Sequence, residues 1–426
     1  MNGAPVSDRA ASRSDTELAR VVRGEAARVV SALHRSFGDL DVAEEATSSA
    51  IEEALRAWRR DGVPPRPGAW LMTAARHDAL DLVRRSRRYR EKVEAVAATA
   101  MTGAGEDVPA PAGEEAEEVL DERLPLLFGC CHPAIAPAGQ LALTLRAVVG
   151  LTKAQIARAT VEPESTVAQR IVRAKRKIAA SGIPLRVPRG RERAARLDLV
   201  LTVVSVMYDA AQLRDGESAD PEHDLADDAL WLAGVIAFCL PDEAEAHGLR
   251  ALLHFHRARG PARVMDGSLV PLDAQDRSLW DAADLATARR ALERAGALRR
   301  PGRWQLHAAI AACHTDAQEA ADTDWPQILA LYDLLLVYDP SPLVRLNRAV
   351  ALAECAGPRA GLDEVEAVRS RLEGYRLWHA VRAALLRRIG RADEARAADE
   401  RARQLSGNDA ERRLLDARIA AAGVAG

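Results

Sequence analysis

The sequence predicts an all-α protein, and three observations carry that expectation. Ala, Arg and Leu dominate a chain of 426 residues in which aromatics make up only 4%. That composition favours helix and leaves too few β-branched and aromatic residues for a sandwich or barrel. Apolar residues recur at three- and four-residue spacing in one segment after another, separated by short breaks that carry Gly or Pro. The length suggests two to four domains.

Taken in order, Leu18 to Phe37 reads as an amphipathic helix with Leu18, Val21, Val22, Val29, Val30 and Leu33 on one stripe, ended by Gly38. Asp39 and Asp41 stand where an N-cap and first turn favour acid, and a second helix runs to about Trp58. The stretch Asp61-Gly-Val-Pro-Pro-Arg-Pro-Gly68 is a loop. A third helix spans about Ala69 to Arg90, apolar in its first half and arginine-rich in its second. Residues 91–119 are rich in Ala, Gly, Pro and Glu, bury little, and read as a flexible linker. Asp121 to Ser181 is helical again. Leu141–Val149 ends at Gly150, Thr152–Ala159 opens with Thr152 and Gln155 at capping-box spacing, Val161-Glu162-Pro163 turns, and Glu164–Ala180 follows. From Arg196 onward, helices alternate with breaks at Pro221, Pro241, Gly260, Pro301 and Pro340. An offset of 34 places Ala349 on Ala383, Leu352 on Leu386 and Gly361 on Ala395. This is the period of a tetratricopeptide helix pair, with one pair from Leu343 and another from Tyr375.

Charge is divided unevenly along the chain. The total of −3 resolves into +3 for residues 1–90, −9 for 91–122, +10 for 123–193 and −7 for 194–426. One strongly basic block in an otherwise acidic chain points to a polyanion partner for that block alone. No apolar run reaches the ~18 residues of a membrane span, so no membrane partner is expected. The polar stretch Met1 to Asp15 has no signal-peptide core, so the expected location is the cytoplasm. Five cysteines without regular spacing do not form a disulfide framework.

The basic block contains two short helices around a tight turn, a helix-turn-helix pattern. Such a helix enters the major groove with its first turns against base edges. Here those turns carry Glu164, Thr166, Gln169, Arg170 and Arg173, with Lys175, Arg176 and Lys177 placed for phosphates. A second candidate stretch joins the loop 59–68 to Trp70, Arg76, His77, Asp81, Arg84, Arg85 and Arg88. Arginines with an aromatic platform suit unstacked single-stranded bases. Taken alone, Trp70 reads as a core residue. Asp41, Glu44 and Glu45 are helix-dipole acids or an interaction patch. Cys130-Cys131-His132 lacks a second ligand pair at zinc spacing and reads as buried thiols. His254 and His256 lie on different helix faces. No phosphate-binding loop, serine-nucleophile motif or zinc-protease motif occurs. No enzyme, catalytic residue, metal or cofactor is expected.

The segments Leu40 to Trp58 and Pro67 to Arg85 resemble region 2 of the extracytoplasmic-function sigma factors. Leu124-Pro-Leu-Leu-Phe-Gly-Cys-Cys-His-Pro133, Ala138 to Arg146 and Val167-Ala-Gln-Arg-Ile-Val-Arg-Ala-Lys-Arg-Lys-Ile178 are similar to region 4 of the group whose C-terminal extension is related to tetratricopeptide repeats. Gln275 to Trp280, Asp322 to Pro326 and Ser341 to Glu354 fit the same group. The resemblance spans about Leu18 to Leu415. It implies an RNA polymerase core partner, met through the β′ clamp helices and the β flap, and promoter DNA. Polymerase contacts would fall on Asp41, Glu44, Glu45 and Ser48. Contacts to the −10 element would fall on the loop from Arg59 to Arg66, with Trp70 beside it, and on Arg76, His77, Asp81, Arg84, Arg85 and Arg88. Contacts to the −35 element would fall on Glu164, Thr166, Gln169, Arg170 and Arg173, with Lys175 and Arg176 on the backbone. Three positions depart from the family pattern: Ser48-Ser49 stands for Gln-Glu, His77 for Asn or Arg, and Met207-Tyr-Asp-Ala-Ala211 for Phe-Asn-Glu-Gly-Tyr.

The expected organisation is a disordered tail (1–17), region 2 (18–90), an acidic linker (91–119), region 4 (120–187), a family-specific helical extension (188–300) and a tetratricopeptide-like domain (301–426). The extension is expected to regulate the factor through an intramolecular or protein partner. The alternatives are a helix-turn-helix regulator with a repeat sensor domain, and an interaction scaffold that has lost polymerase binding.

Overall fold

The computed structural model describes residues 25–98, 123–160, 162–212 and 225–424. The expected tail, Leu18, Val21 and Val22 of the first stripe, and residues 99–119 of the linker lie outside them. The chain divides into two compact units, Met1–Val203 and Val204–Gly426. Among the described residues the all-α expectation holds, apart from one hairpin of two-residue strands.

In the first unit, α1 covers 25–37, α2 Leu40–Asp61 and α3 Pro67–Ala98. Asp39 caps α2, its carboxylate accepting from the backbone N–H of Asp41 at 2.8 Å and of Val42 at 3.2 Å. A row of small residues, Ala43, Ala46, Ala50 and Ala54, is wholly buried on α2 and lets the backbones of α2 and α3 approach closely. Leu71, Ala75 and Ala79 form the matching stripe of α3, and Trp58 closes the end of the pair. Gly62, at φ 83°, stops α2 in a conformation that side-chain-bearing residues resist. α3 continues eight residues beyond Arg90, the boundary that composition gave for the linker. Glu91 to Ala98 contains no Gly or Pro, so nothing breaks the helix there.

Four shorter helices follow: α4 Arg123–Cys130, α5 Pro137–Ala147, α6 Lys153–Thr160 and α7 Glu164–Ala180. α5 begins four residues before its expected start because Pro137 is well tolerated in a first turn. The capping box of α6 is formed. The Thr152 N–H donates to Gln155 Oε1 at 2.9 Å, and the Gln155 N–H to Thr152 Oγ1 at 3.2 Å. α7 has the limits expected from sequence and buries Val167, Ile171, Ala174 and Ile178. Cys130 and Cys131 are buried thiols. Burial pushes Cys131 up to about 12, and its Sγ lies 3.6 Å from Thr144 Oγ1. α8, Gly190–Gln212, begins in this unit.

The second unit takes the end of α8 and continues with α9 Leu225–Cys239, α10 Ala244–Ala258 and the single turn α11 Gly260–Arg263. Strands β1 Val264–Met265 and β2 Ser268–Leu269 pair antiparallel around Asp266-Gly267, both at positive φ. Asp-Gly is the dipeptide that such a turn favours, so the all-helical expectation missed a signal present in the sequence. α12 Ala282–Ala297 and α13 Arg303–Asp316 pack on α10. The Glu245 carboxylate on α10 caps α13, accepting from the N–H of Trp304 at 2.8 Å and of Gln305 at 3.1 Å. Helices α14 Trp325–Tyr338, α15 Pro342–Ala356, α16 Pro358–Ala367, α17 Arg369–Leu372, α18 Arg376–Arg388, α19 Ala392–Leu405 and α20 Asp409–Val424 complete the unit. Helix pairs α15–α16 and α18–α19 fall where the 34-residue offset was found. Ala349, Ala383, Leu386 and Ala395 of that pattern are buried between helices.

Candidate nucleic-acid interface

Two exposed basic faces are built in the first unit. On α3 the buried stripe Leu71, Ala75, Ala79 fixes the opposite face toward water, and that face carries Arg76, His77, Asp81, Arg84, Arg85 and Arg88, all exposed. Asp81 and Arg84 form a loose pair at 3.7 Å that leaves both largely solvated. Arg66 is exposed in the loop that leads into α3. Trp70 is half-buried, with its ring edge-on to Trp58 at 5.5 Å between centroids. It therefore combines the core role expected of it alone with a remaining solvent-facing part. The side chain of Arg59 lies outside the described residues.

On α7 the same logic applies. Its buried stripe turns Glu164, Gln169, Arg173 and Arg176 outward, while Thr166 is half-buried. Arg170 turns back on the Glu162 carboxylate.

Sequence reasoning missed where Lys175 goes. Its ammonium reaches α2, 2.5 Å from Asp41 Oδ1 and 3.0 Å from Glu44 Oε2. Arg146 on α5 approaches the same Glu44 oxygen at 3.5 Å. Lys175 is 13% exposed and Glu44 9%, whereas Asp41 is 75% exposed. Burial by itself would lower the Lys175 pKa; the Glu44 and Asp41 carboxylates outweigh it and raise the ammonium above its ordinary value. The second Glu44 oxygen is buried without a hydrogen-bond partner. Glu45 stays exposed and Ser48 is half-buried. Thus two of the four residues expected to meet polymerase are held by a side chain expected to meet DNA phosphate. Opposite charges were visible in the sequence, but nothing local pairs residues 131 positions apart.

Residues 21–89 match the family described as Sigma-70 region 2, which takes in α1, α2 and most of α3. The chain is 40% identical over 391 residues to the uncharacterized protein R00370 of Rhizobium meliloti (strain 1021), an alignment covering 90% of each chain. The chain belongs to the same family as that protein and contains a sigma-70 region 2. The chain also matches, over residues 196–296, a family of unknown function (DUF6596), which spans most of α8 and continues through α12. No solved structure matches it. Among the described residues, no helix is long and apolar enough to cross a membrane, and no group of three His, Cys, Asp or Glu side chains is placed to hold a metal ion.

Proposed function

We propose that this protein is a sigma factor of the extracytoplasmic-function type that binds RNA polymerase core and directs promoter recognition and initiation. The observation that carries this reading is the face of α3. The region 2 match covers the helix that exposes Arg76, His77, Asp81, Arg84 and Arg85 within three turns. Guanidinium groups on a rigid helix neutralise phosphates and stack on unpaired bases, which a melted −10 element requires. The exposed first turns of α7 would enter the major groove at the −35 element, where Gln169 and Arg173 can form paired hydrogen bonds to base edges. Asp41, Glu44, Glu45 and Ser48 on α2 would dock on the β′ clamp helices, and region 4 on the β flap.

On this reading the Lys175 contact belongs to the free factor. Asp41 and Glu44 cannot engage polymerase while Lys175 occupies them, and Lys175 cannot bind phosphate while it is held on α2. The second unit, with its helix pairs of tetratricopeptide-like period, is assigned the regulation of that opening through an intramolecular or protein partner.

Run-off transcription with core polymerase, on fragments upstream of the protein's own operon, tests the reading. The expected result is initiation at a discrete start site that Arg84→Ala/Arg85→Ala abolishes while the variant still co-elutes with core. No initiation together with no co-elution overturns it.

A further inference from the structure

Helix α14 is apolar on nearly every side. Of its 14 residues, only Gln327 and Asp333 carry an amide side chain or a charge. Ile328 and Leu335 are wholly buried in the core of the second unit. The opposite side is open. Leu334 is 42% exposed, Val337 76% and Tyr338 44%, and Ala330 is exposed beside them. A helix that is apolar all round is normally covered all round, and a contiguous apolar surface marks a place that a partner covers. Asp333 adds little free charge to this side, because Arg348 holds it at 2.6 Å. Gln327, Leu331, Leu334 and Tyr338 follow one another at steps of four, three and four, so they share one face over about 16 Å of helix.

At the N-terminal end of that face lies a cavity of about 340 Å³, to which Gln327 itself contributes. Leu292 of α12 and Ala309 of α13 give it an apolar side, and Asp316, Asp322 and Asp324 give it an acidic one. Each carboxylate is fixed through one oxygen. Asp316 Oδ1 accepts from Arg289 Nε at 3.0 Å and Nη2 at 2.9 Å, Asp322 Oδ2 from the Glu319 N–H at 3.3 Å, and Asp324 Oδ1 from the Gln327 N–H at 2.9 Å. Among the described residues, the other oxygen of each accepts no hydrogen bond, and no basic side chain pairs with Asp322 or Asp324. The Cys313 thiol lines the same cavity, and burial, then Asp324 and Asp316, push it above its ordinary value. No three such groups among the described residues converge as metal ligands. The cation that fits is an organic one, its stem on Leu292 and Ala309 and its head among the acids.

We propose that this cavity and the outward face of α14 together form the docking site for an amphipathic helix of a partner protein. That helix would place a Lys or Arg in the cavity and apolar side chains along Leu334, Val337 and Tyr338. Charge complementarity sets the partner's chemistry: residues 194–426 carry a net charge of −7, and two of the three cavity acids have no cation of their own. Helices that lie on an apolar face use anchors at this three- and four-residue spacing. Such a site deepens the assignment of a protein partner to the second unit. It is tested without polymerase or DNA, so its failure and the failure of the sigma-factor reading are distinguishable.

A displayed library of helical peptides, selected on the full-length protein and counter-selected on Leu334→Glu/Val337→Glu, tests the proposal. The expected result is enrichment of peptides with a basic residue at one end of an apolar stripe. The best of them, synthesised and titrated, should bind tenfold or more weakly to Leu334→Glu/Val337→Glu and to Asp322→Asn/Asp324→Asn, and more weakly as salt rises. Asn at 324 still caps α14, so the second variant removes charge while keeping the helix start; a thermal melt of each variant checks its fold. Phe238→Glu, at an apolar residue of α9 that is 76% exposed, should bind as the parent does. No enrichment over the counter-selecting variant, a stripe without a basic residue, or undiminished binding by either double variant that keeps the parent's fold overturns the proposal. So does sedimentation showing that the full-length protein alone forms a dimer that Leu334→Glu/Val337→Glu dissociates, because a second copy would then be the occupant.

Discussion

On the proposed function, removing the Lys175 ammonium should raise the affinity of the free factor for core polymerase. The magnitude follows from the geometry. Lys175 and Glu44 are 3.0 Å apart and close to fully buried, a setting in which removing one partner costs about 3–5 kcal/mol. Two facts reduce that figure for Lys175→Ala. Arg146 remains at 3.5 Å from Glu44 and continues to neutralise it. Asp41 is 75% exposed, so its share of the contact is at most about 1 kcal/mol. A net loss of about 2 kcal/mol from the closed arrangement is therefore expected, roughly a thirtyfold shift toward the open one. If the closed form dominates in the free chain, core affinity measured without DNA rises by up to about that factor, because only the open form presents Asp41 and Glu44. Equilibrium unfolding of Lys175→Ala, Glu44→Gln and the double variant isolates the contact itself, with a coupling of 1 kcal/mol or more expected for this pair. An unchanged core affinity together with a coupling below about 0.5 kcal/mol would refute the reasoning.

Three further outcomes follow from the structure. On the proposed reading, Arg84→Ala/Arg85→Ala should weaken non-specific binding of the open factor to single-stranded DNA and reduce the slope of log affinity against log salt by about 1–2, because two exposed positive charges are lost; titrations at three salt concentrations read this directly. Gly361→Val should destabilise the second unit by about 2 kcal/mol and lower its Tm by roughly 4–8 °C in calorimetry, because a Cβ at Gly361 would stand 2.6 Å from both the Ala349 carbonyl oxygen and Ala353 Cβ. Acid should destabilise the second unit through His314. Burial, then Arg259 and Arg277, hold its folded-state pKa near 4 against the ordinary 6.5, so its contribution is complete above pH 6.5 and is lost as pH falls toward 4. His314→Gln should flatten that limb of a denaturation series by about 2 kcal/mol. Asp209, raised to about 6, acts in the opposite sense, so Asp209→Asn should steepen it.

Local physics made much of the first unit readable from its residues. The limits of α7, the Asp39 cap of α2 and the Thr152–Gln155 box of α6 depend on neighbours within four positions. The outward set on α3 follows from the spacing of Leu71, Ala75 and Ala79, since fixing the buried stripe of a helix fixes the opposite one. What escaped the sequence was pairing across distance. Lys175 was grouped with the phosphate contacts because it sits among Arg173, Arg176 and Lys177, yet residue 175 leans over the buried side of α7 and finds α2. The β1–β2 hairpin was a different kind of miss. Asp266-Gly267 carried the signal, but two strands of two residues have no periodicity to reinforce it.

The Lys175 contact bears on how the proposed factor would avoid unproductive binding to DNA. Residues 123–193 carry a net charge of +10, enough to hold duplex DNA non-specifically at low salt. A shield made only of acidic sequence would weaken both DNA binding and polymerase binding without linking them. A contact that consumes one lysine proposed to bind phosphate and two acids proposed to bind polymerase would link them directly, since each partner would have to break the same ion pair. By thermodynamic reciprocity, whatever polymerase contributes to opening α7 from α2 is returned as tighter DNA binding by the complex, and the reverse holds equally. With about 2 kcal/mol stored in the contact, the linkage amounts to roughly thirtyfold in each direction. That is large enough to favour promoter engagement by the assembled holoenzyme over the free factor, and small enough for docking on core to overcome it. Lys175→Ala should therefore uncouple the two equilibria: free-factor DNA affinity, once corrected for the lost phosphate contact, should approach that of the complex. If the difference between free and core-bound DNA affinity stays as large in Lys175→Ala as in the parent, another element carries the linkage.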